Sequence, residues 1–96
     1  MPEPPRDPGD DVLLPDEAKS IESGDVEHLR LWVDTYRELH QFKEHLLDEI
    51  AVQKQRVSAP GRVELDNDRK LIERERDRVG RRLRFWEQEL AKQGRS

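Results

Sequence analysis

The chain has no cysteine, few aromatic residues and no long apolar run. Without cysteine it has neither a disulfide framework nor thiolate chemistry. No apolar stretch approaches the roughly 18 residues that a membrane-spanning helix needs, and the N-terminus lacks the apolar core of a signal peptide. We therefore expect a cytoplasmic protein that does not associate with a membrane. Arginine outnumbers lysine 13 to five, which indicates a GC-rich bacterial genome.

Apolar residues are scarce as well, at 32% of the 96 residues, whereas charged residues make up 42%. This composition excludes a thick three-layer core. A thin contact between two helices is feasible, because it needs only about two or three apolar residues in every seven. We therefore expect one small all-α domain built on a coiled-coil-like contact.

Apolar residues in the second half of the chain recur every seven positions, at Leu65, Ile72, Val79 and Trp86. A second set, interleaved with the first, contains two arginines followed by two leucines: Arg69, Arg76, Leu83 and Leu90. Together they occupy the d and a positions of successive heptads. The spacing predicts a long helix packed lengthwise on another helix.

A second heptad pattern precedes this one, beginning at Leu29 and Trp32 and ending at Val57. Between the two patterns lies Ser58-Ala59-Pro60-Gly61, and proline disfavours helical geometry in the residue before it. We therefore predict an antiparallel two-helix hairpin over 25–93, in which paired residues have numbers that sum to about 119. Its parts are a helix at 26–57, a turn at 58–61 and a helix at 62–93.

Residues 1–24 form an acidic, proline-rich N-terminal arm that we predict to be disordered. Four prolines fall within the first 11 residues, and proline cannot propagate a helix or a strand ladder. Residues 1–27 have a formal charge of −7, so the remaining residues sum to +3. A short apolar cluster at 12–14 either folds back on the helices, stays loose or serves as a linear docking motif.

The first long helix carries more apolar surface than one partner helix can cover. Its apolar arc spans about 220°, whereas a helix with one neighbour needs about 100°. Surplus residues form a continuous surface that we expect to bind protein. We predict that two hairpins dimerise into a four-helix bundle, or that another protein covers the surface. The predicted protein-binding residues are Leu31, Trp32, Phe42, Leu47, Leu71 and Phe85.

Residues with catalytic or metal-binding chemistry form no recognisable motif in this chain. The three histidines, His28, His40 and His45, lack the Glu-x-x-His spacing of di-metal bundles and the His-Glu-x-x-His motif. The five glycines do not form a phosphate-binding loop. A two-helix hairpin also offers little concavity for a small molecule. We therefore expect no enzyme, no metal and no cofactor.

A basic ridge on the second helix supports an alternative function. Arginines beside an aromatic side chain can contact phosphates and stack on a base. Acidic residues are interleaved with them at ion-pair spacing, however, and the chain is acidic overall, with a net charge of −4. The residues that would contact nucleic acid in this alternative are Arg74, Arg78, Arg81 and Arg82.

The pattern as a whole favours a non-catalytic protein–protein interaction module, an adaptor or regulator that acts through helix packing and self-association. In such a module apolar anchors provide affinity and charges at the rim set the register. The alternative is a regulator that contacts nucleic acid or the transcription machinery through the second helix.

Overall fold

A computed structural model describes residues 13–94, and those residues are almost entirely helical. Helix α1 spans Pro15–Ser23, α2 spans Val26–Lys54 and α3 spans Ala59–Gly94. Helices α2 and α3 pack closely, and α1 packs on α2. The all-α class and the two packed long helices are as predicted from the sequence, and the described part of the chain contains no strand.

The corner between α2 and α3 is shifted from its predicted position. Helix α2 ends at Lys54 rather than at Val57, with two short-range bonds from the amides of Gln55 and Arg56 to carbonyls three residues back. These tighter bonds satisfy carbonyls that an α-helical end leaves unpaired. Helix α3 begins three residues earlier than predicted, at Ala59, because proline is well tolerated in a first helical turn.

Contacts between α2 and α3 agree with the predicted antiparallel register. Trp32 stacks on Trp86, with ring centroids 5.7 Å apart. Near the middle of the hairpin Lys43 Nζ bonds the Glu75 carboxylate. Near the corner Lys54 Nζ bonds that of Asp66. The residue numbers in these pairs sum to between 118 and 120, so the two helices run side by side with matched ends.

The arginines predicted to occupy heptad positions between the two helices have acidic side chains beside them. Their alkyl chains can therefore lie along the helix contact while their charged groups are paired. Arg69 bonds Glu73 Oε1 at 2.7 Å. Arg76 lies 3.1 Å from an oxygen of Asp77, its neighbour in sequence. The polar middle of the hairpin therefore has local ion pairs.

The densest packing lies at the open end of the hairpin, far from the corner. Leu29, Val33 and Trp86 are buried there and form one apolar cluster. Half-buried apolar side chains from all three helices and the preceding segment pack around them: Leu13, Ile21, Trp32, Tyr36, Leu83, Phe85 and Leu90. The core is therefore concentrated where α1 meets the hairpin.

Helix α1 corrects the prediction that residues 1–24 are disordered, for the part of that range that the structure describes. Pro15 occupies the start of the helix, and Gly24 closes it in a left-handed conformation with φ of 63°. Leu13 and Ile21 lie against the buried cluster, so this segment folds back on the hairpin because it contributes apolar side chains to its core. Residues 1–12, including Val12 of the apolar cluster, lie outside the described residues.

Candidate protein-binding surfaces

The first candidate site is a pocket at the open end of the hairpin, which α1 occupies. Two α2 side chains, Trp32 and Tyr36, and the α3 side chain Trp86 line it. We call these three residues the α1 pocket. Each offers one hydrogen-bond donor, and indole nitrogens can only donate.

Glu17 of α1 enters this pocket and is almost completely buried, with 1% of its surface exposed. Trp86 Nε1 donates to its Oε2 at 2.9 Å, and the Tyr36 hydroxyl donates to its Oε1 at 3.2 Å. The backbone amide of Leu14 also donates to Oε1, at 3.3 Å. A buried carboxylate is costly unless hydrogen bonds satisfy it, and here three donors from three segments do so.

Ser20 stands one helical turn after Glu17 and occupies the same pocket. Trp32 Nε1 donates to its hydroxyl oxygen at 2.9 Å, and that hydroxyl donates in turn to the Asp16 carbonyl at 3.0 Å. Since residues three apart share a face of a helix, Glu17 and Ser20 form one polar edge directed at the two indoles.

Electrostatics at the pocket act on the only tyrosine of the chain. Burial raises the pKa of Tyr36, and the negative charge and hydrogen bond of Glu17 raise it further. The positive charges of Arg82 and Arg78 act in the opposite direction. Because ionisation of the phenol would remove its donor beside a carboxylate, the neutral form fits this site.

The second candidate site is an apolar strip along α2, made of the exposed Leu31, Leu39 and Phe42 and the half-buried Leu46. We call it the α2 flank. Phe42 has 54% of its surface exposed and Leu31 has 59%. Leu39, Phe42 and Leu46 are spaced three and four apart, which places them on one face of the helix.

The α2 flank leads into a groove between α2 and α3 near the corner. The groove encloses about 270 Å³. Leu46 belongs to both features, and across the groove Leu71 of α3 leaves 51% of its surface exposed. Apolar side chains predominate among the lining residues, which are Leu46, Glu49, Ile50, Gln53, Leu65, Asp68, Leu71 and Ile72.

The residues predicted to bind protein therefore divide between different environments. Leu31, Phe42 and Leu71 are exposed, and Leu47 is half-buried. Trp32 belongs to the α1 pocket. Phe85 is half-buried and packs edge-on against Trp86, with ring centroids 5.2 Å apart, so part of its surface is used within the chain.

The residues of the nucleic-acid alternative also separate. Arg74, Arg78 and Arg81 are exposed on α3. Arg82 has only 6% of its surface exposed, so it does not lie where a phosphate backbone could reach it. Three of the four arginines of the predicted basic surface are therefore exposed, and the fourth is buried.

Sequence reasoning missed Glu17 and Ser20 as members of a site. A signal was present, because buried tryptophan and tyrosine need partners for their polar atoms. The chain places Trp32 and Tyr36 one turn apart on α2, and the predicted register brings Trp86 opposite Trp32. These side chains need hydrogen-bond acceptors when they are buried, and the acidic segment before α2 supplies one in Glu17.

Metal and membrane features are not found in residues 13–94. No group of three or more acidic or histidine side chains there could hold a metal ion. His40 Nε2 lies 3.8 Å from Glu44, an isolated pair rather than a ligand set. Among the helices of these described residues, none contains an apolar stretch of the length that a bilayer crossing requires.

Comparisons with known proteins give no match to a family model, to a curated protein or to a solved structure. No relative therefore suggests a function for the chain. The two surfaces just described, the α1 pocket and the α2 flank with its groove, carry the functional inference.

Proposed function

We propose that the protein is a non-catalytic interaction module that self-associates through the α2 flank, and so serves as an adaptor or regulator. The observation that carries this proposal is the apolar strip of Leu31, Leu39, Phe42 and Leu46, in which the first three residues are exposed and Leu46 is half-buried. Single exposed apolar residues are common on soluble proteins, but a continuous apolar strip marks an interaction surface.

A second copy of the chain fits the flank because the strip is complementary to itself in antiparallel orientation. Pairing residues whose numbers sum to about 77 places Leu31 against Leu46 and Phe42 against Thr35. Leu39 then lies near the same residue of the second copy, on the two-fold axis. Such a pairing makes both copies contribute the same patch, as a two-fold symmetric interface requires. The product is a four-helix bundle with the two α2 helices at its centre.

The mechanism is packing of one amphipathic helix on another, with the groove near the corner as an extension of the contact. Apolar anchors on the flank provide affinity through burial, at about 25 cal/mol for each Å² removed from water. Charged residues at the rim, including Glu49 and Asp68 in the groove, restrict the register of an approaching helix.

Contact with nucleic acid has weaker support than protein binding. Arg74, Arg78 and Arg81 are exposed, but Arg82 is buried and acidic residues lie among them. A protein that neutralises phosphates binds DNA or RNA with an affinity that falls steeply with salt. A salt titration of binding to DNA and RNA would reveal that behaviour.

Sedimentation velocity tests the proposed self-association. The wild type is expected to sediment as a dimer, and Phe42→Lys as a monomer, because a buried lysine at the interface is not compensated by a partner. Arg37→Ala, a change at an exposed position elsewhere on α2, serves as the control and should remain dimeric. A wild type that stays monomeric at every concentration, with normal helicity, would contradict self-association.

A further inference from the structure

The pocket at the open end presents a specific set of hydrogen-bond donors to whatever helix lies in it. Trp86 Nε1 and the Tyr36 hydroxyl both donate to Glu17, and Trp32 Nε1 donates to Ser20. A buried indole N–H needs a hydrogen-bond acceptor, so an occupant must supply acceptors at these positions, as α1 does with a carboxylate and, one turn later, a hydroxyl.

Apolar contacts on either side of this polar edge add to the specificity. Leu13 lies four positions before Glu17, and Ile21 lies four positions after it. Both pack against the buried cluster of the hairpin. The recognised pattern is thus a helix in which Glu, a hydroxyl residue and an apolar residue share one face, with a further apolar residue in the segment just before the helix.

Contacts within the hairpin also hold the three aromatic side chains of the pocket together. Its two indoles stack across α2 and α3, and Trp32 also contacts Tyr36, with centroids 6.2 Å apart. Leu29 and Val33 of α2 are buried with Trp86 beneath it. Departure of α1 would therefore expose a surface whose aromatic side chains also contact one another.

Helix α1 is a small occupant that is well suited to exchange. It has nine residues, and a helix of that length is unstable in water without tertiary contacts. Only Gly24 and Asp25 separate it from α2, and the left-handed Gly24 marks a clear break between the two helices. Short elements of this kind open with less free energy than the core of a domain.

We propose that the α1 pocket is a receptor for a helix of a partner protein, and that α1 occupies it in the absence of that partner. The partner helix carries Glu, a Ser or Thr three positions later and an apolar residue four positions later, and the segment just before the helix carries an apolar residue four positions before the Glu. This inference goes beyond the proposed function, because it uses a surface other than the α2 flank.

Occupancy by α1 makes binding competitive. The tether holds α1 at a high effective concentration beside its pocket. The apparent affinity of a partner is then its intrinsic affinity multiplied by the fraction of molecules in which the pocket is open, so a mostly closed pocket binds more weakly. A partner that supplies the same carboxylate and hydroxyl replaces each hydrogen bond that α1 gives up, so the exchange leaves no buried donor unsatisfied.

Nuclear magnetic resonance of the full chain tests the proposal, since its two tryptophans give two indole N–H signals and both lie in the pocket. The probe is a synthetic peptide with the sequence of residues 13–24. A full-chain double variant, Glu17→Ala with Ser20→Ala, weakens the intramolecular occupant. Both indole signals of this variant should shift as the peptide is added, and the wild type should need at least about tenfold more peptide.

A matched peptide with Glu17→Gln provides the control for the carboxylate. It should bind at least about tenfold more weakly, because hydrogen bonds to an ionised acceptor are about twice as strong as neutral ones. Equal binding of the two peptides, or indole signals of the double variant that do not move, would overturn the proposal. The α2 flank plays no part in this measurement, so its result is independent of self-association.

Hydrogen exchange of the wild-type protein gives a second test that needs no variant. If α1 leaves its pocket transiently, its amides exchange faster than those of Leu29 and Val33 in the hairpin core. Exchange of the α1 amides at the same rate as these core amides would mean that the pocket opens only on global unfolding. That outcome would overturn the proposal even if the double variant failed to fold.

Discussion

The indole nitrogen of Trp86 donates a 2.9 Å hydrogen bond to the carboxylate of Glu17, which lies 69 positions earlier in the chain. Both side chains are buried, with 0% and 1% of their surfaces exposed. The bond connects the far end of α3 to the short helix that precedes the hairpin. It is a charge-assisted bond in a site shielded from water, where such bonds are strongest.

Replacement of Glu17 by alanine should therefore destabilise the protein. The change leaves the Trp86 and Tyr36 donors without their acceptor, and an unsatisfied buried donor costs about 1–3 kcal/mol. We expect the free energy of unfolding to fall by about 2 kcal/mol. Urea denaturation followed by circular dichroism measures this difference.

Glu22→Ala is the matched control for that experiment. Glu22 is exposed on the same helix, so its removal should change the free energy of unfolding by less than about 0.5 kcal/mol. Equal stability of the Glu17 and Glu22 variants would show that the bond to Trp86 contributes nothing measurable.

Tyr36 provides a spectroscopic measure of the same site. Burial and the charge of Glu17 raise its pKa above the ordinary value of 10.0. The folded state therefore favours the neutral phenol. The resulting stability is present below the unfolded pKa and is lost as pH rises through the folded pKa. Because the chain has one tyrosine, the absorbance of ionised phenol reports on Tyr36 alone.

Glu17→Gln should lower the midpoint of that titration. The substitution removes the negative charge that opposes phenolate formation and weakens the bond that the hydroxyl donates. An unchanged midpoint would mean that burial alone sets the Tyr36 pKa. Titration of Glu22→Gln controls for the general effect of removing one acid from α1.

The hairpin was predictable because its signal repeats along the chain. Val79 and Trp86 belong to a series with one apolar residue in every seven, and a proline-containing corner separates two such series. A matched register follows from the equal lengths of the two patterns. The observed stacking of Trp32 on Trp86 agrees with it.

Helix α1 was not predictable in the same way, because it is too short to show a repeat. Two of its buried residues, Glu17 and Ser20, are polar, and a prediction based on apolar positions would place polar residues in solvent. Their burial depends on donors that lie 12 to 69 positions away in the chain. Only the assembled hairpin brings those donors together.

Residues at the middle of the hairpin show a second limit. The predicted register, in which paired residue numbers sum to about 119, places Leu39 opposite Val79 and Gly80, yet Leu39 is exposed and His40 lies beside Gly80 instead. Polar residues such as Lys43 also lie between α2 and α3 at this point. The pairing of apolar residues across the two helices therefore determines the rotation of α2 about its axis only weakly. The exposed Leu39 thereby becomes part of the α2 flank.

Gly80→Ala should stabilise the protein. A Cβ at Gly80 would lie 3.5 Å from His40 Cδ2, an ordinary contact distance, so the methyl group fits without displacement. Alanine is favoured over glycine within a helix by up to about 1 kcal/mol. We expect a gain of about 0.5–1 kcal/mol in the free energy of unfolding, measured by urea denaturation.

Gly24→Ala should have the opposite effect. Gly24 has φ of 63°, a left-handed conformation that costs an L-residue about 1 kcal/mol or more. The loss should therefore be about 1 kcal/mol, although the added methyl group has room. If both glycine substitutions changed stability in the same direction, the assignment of backbone strain to Gly24 alone would be wrong.

Disulfide formation at Leu39 provides the sharpest test of the proposed dimer geometry. The chain has no cysteine, so a single Leu39→Cys substitution introduces the only thiol. In the antiparallel pairing of two α2 flanks this position lies near the two-fold axis. The Cα atoms of the two cysteines, one in each copy, should then lie within the roughly 4.4–6.8 Å that a disulfide requires.

Mild oxidation of Leu39→Cys should therefore produce a covalent dimer rapidly, as seen by non-reducing gel electrophoresis. Arg37→Cys is the control, because Arg37 is also exposed on α2 but lies on a different face of the helix. Its thiols cannot meet across the proposed axis and should cross-link only by slow random collision. Equal cross-linking rates for the two variants would contradict an interface centred on Leu39, even if sedimentation showed a dimer.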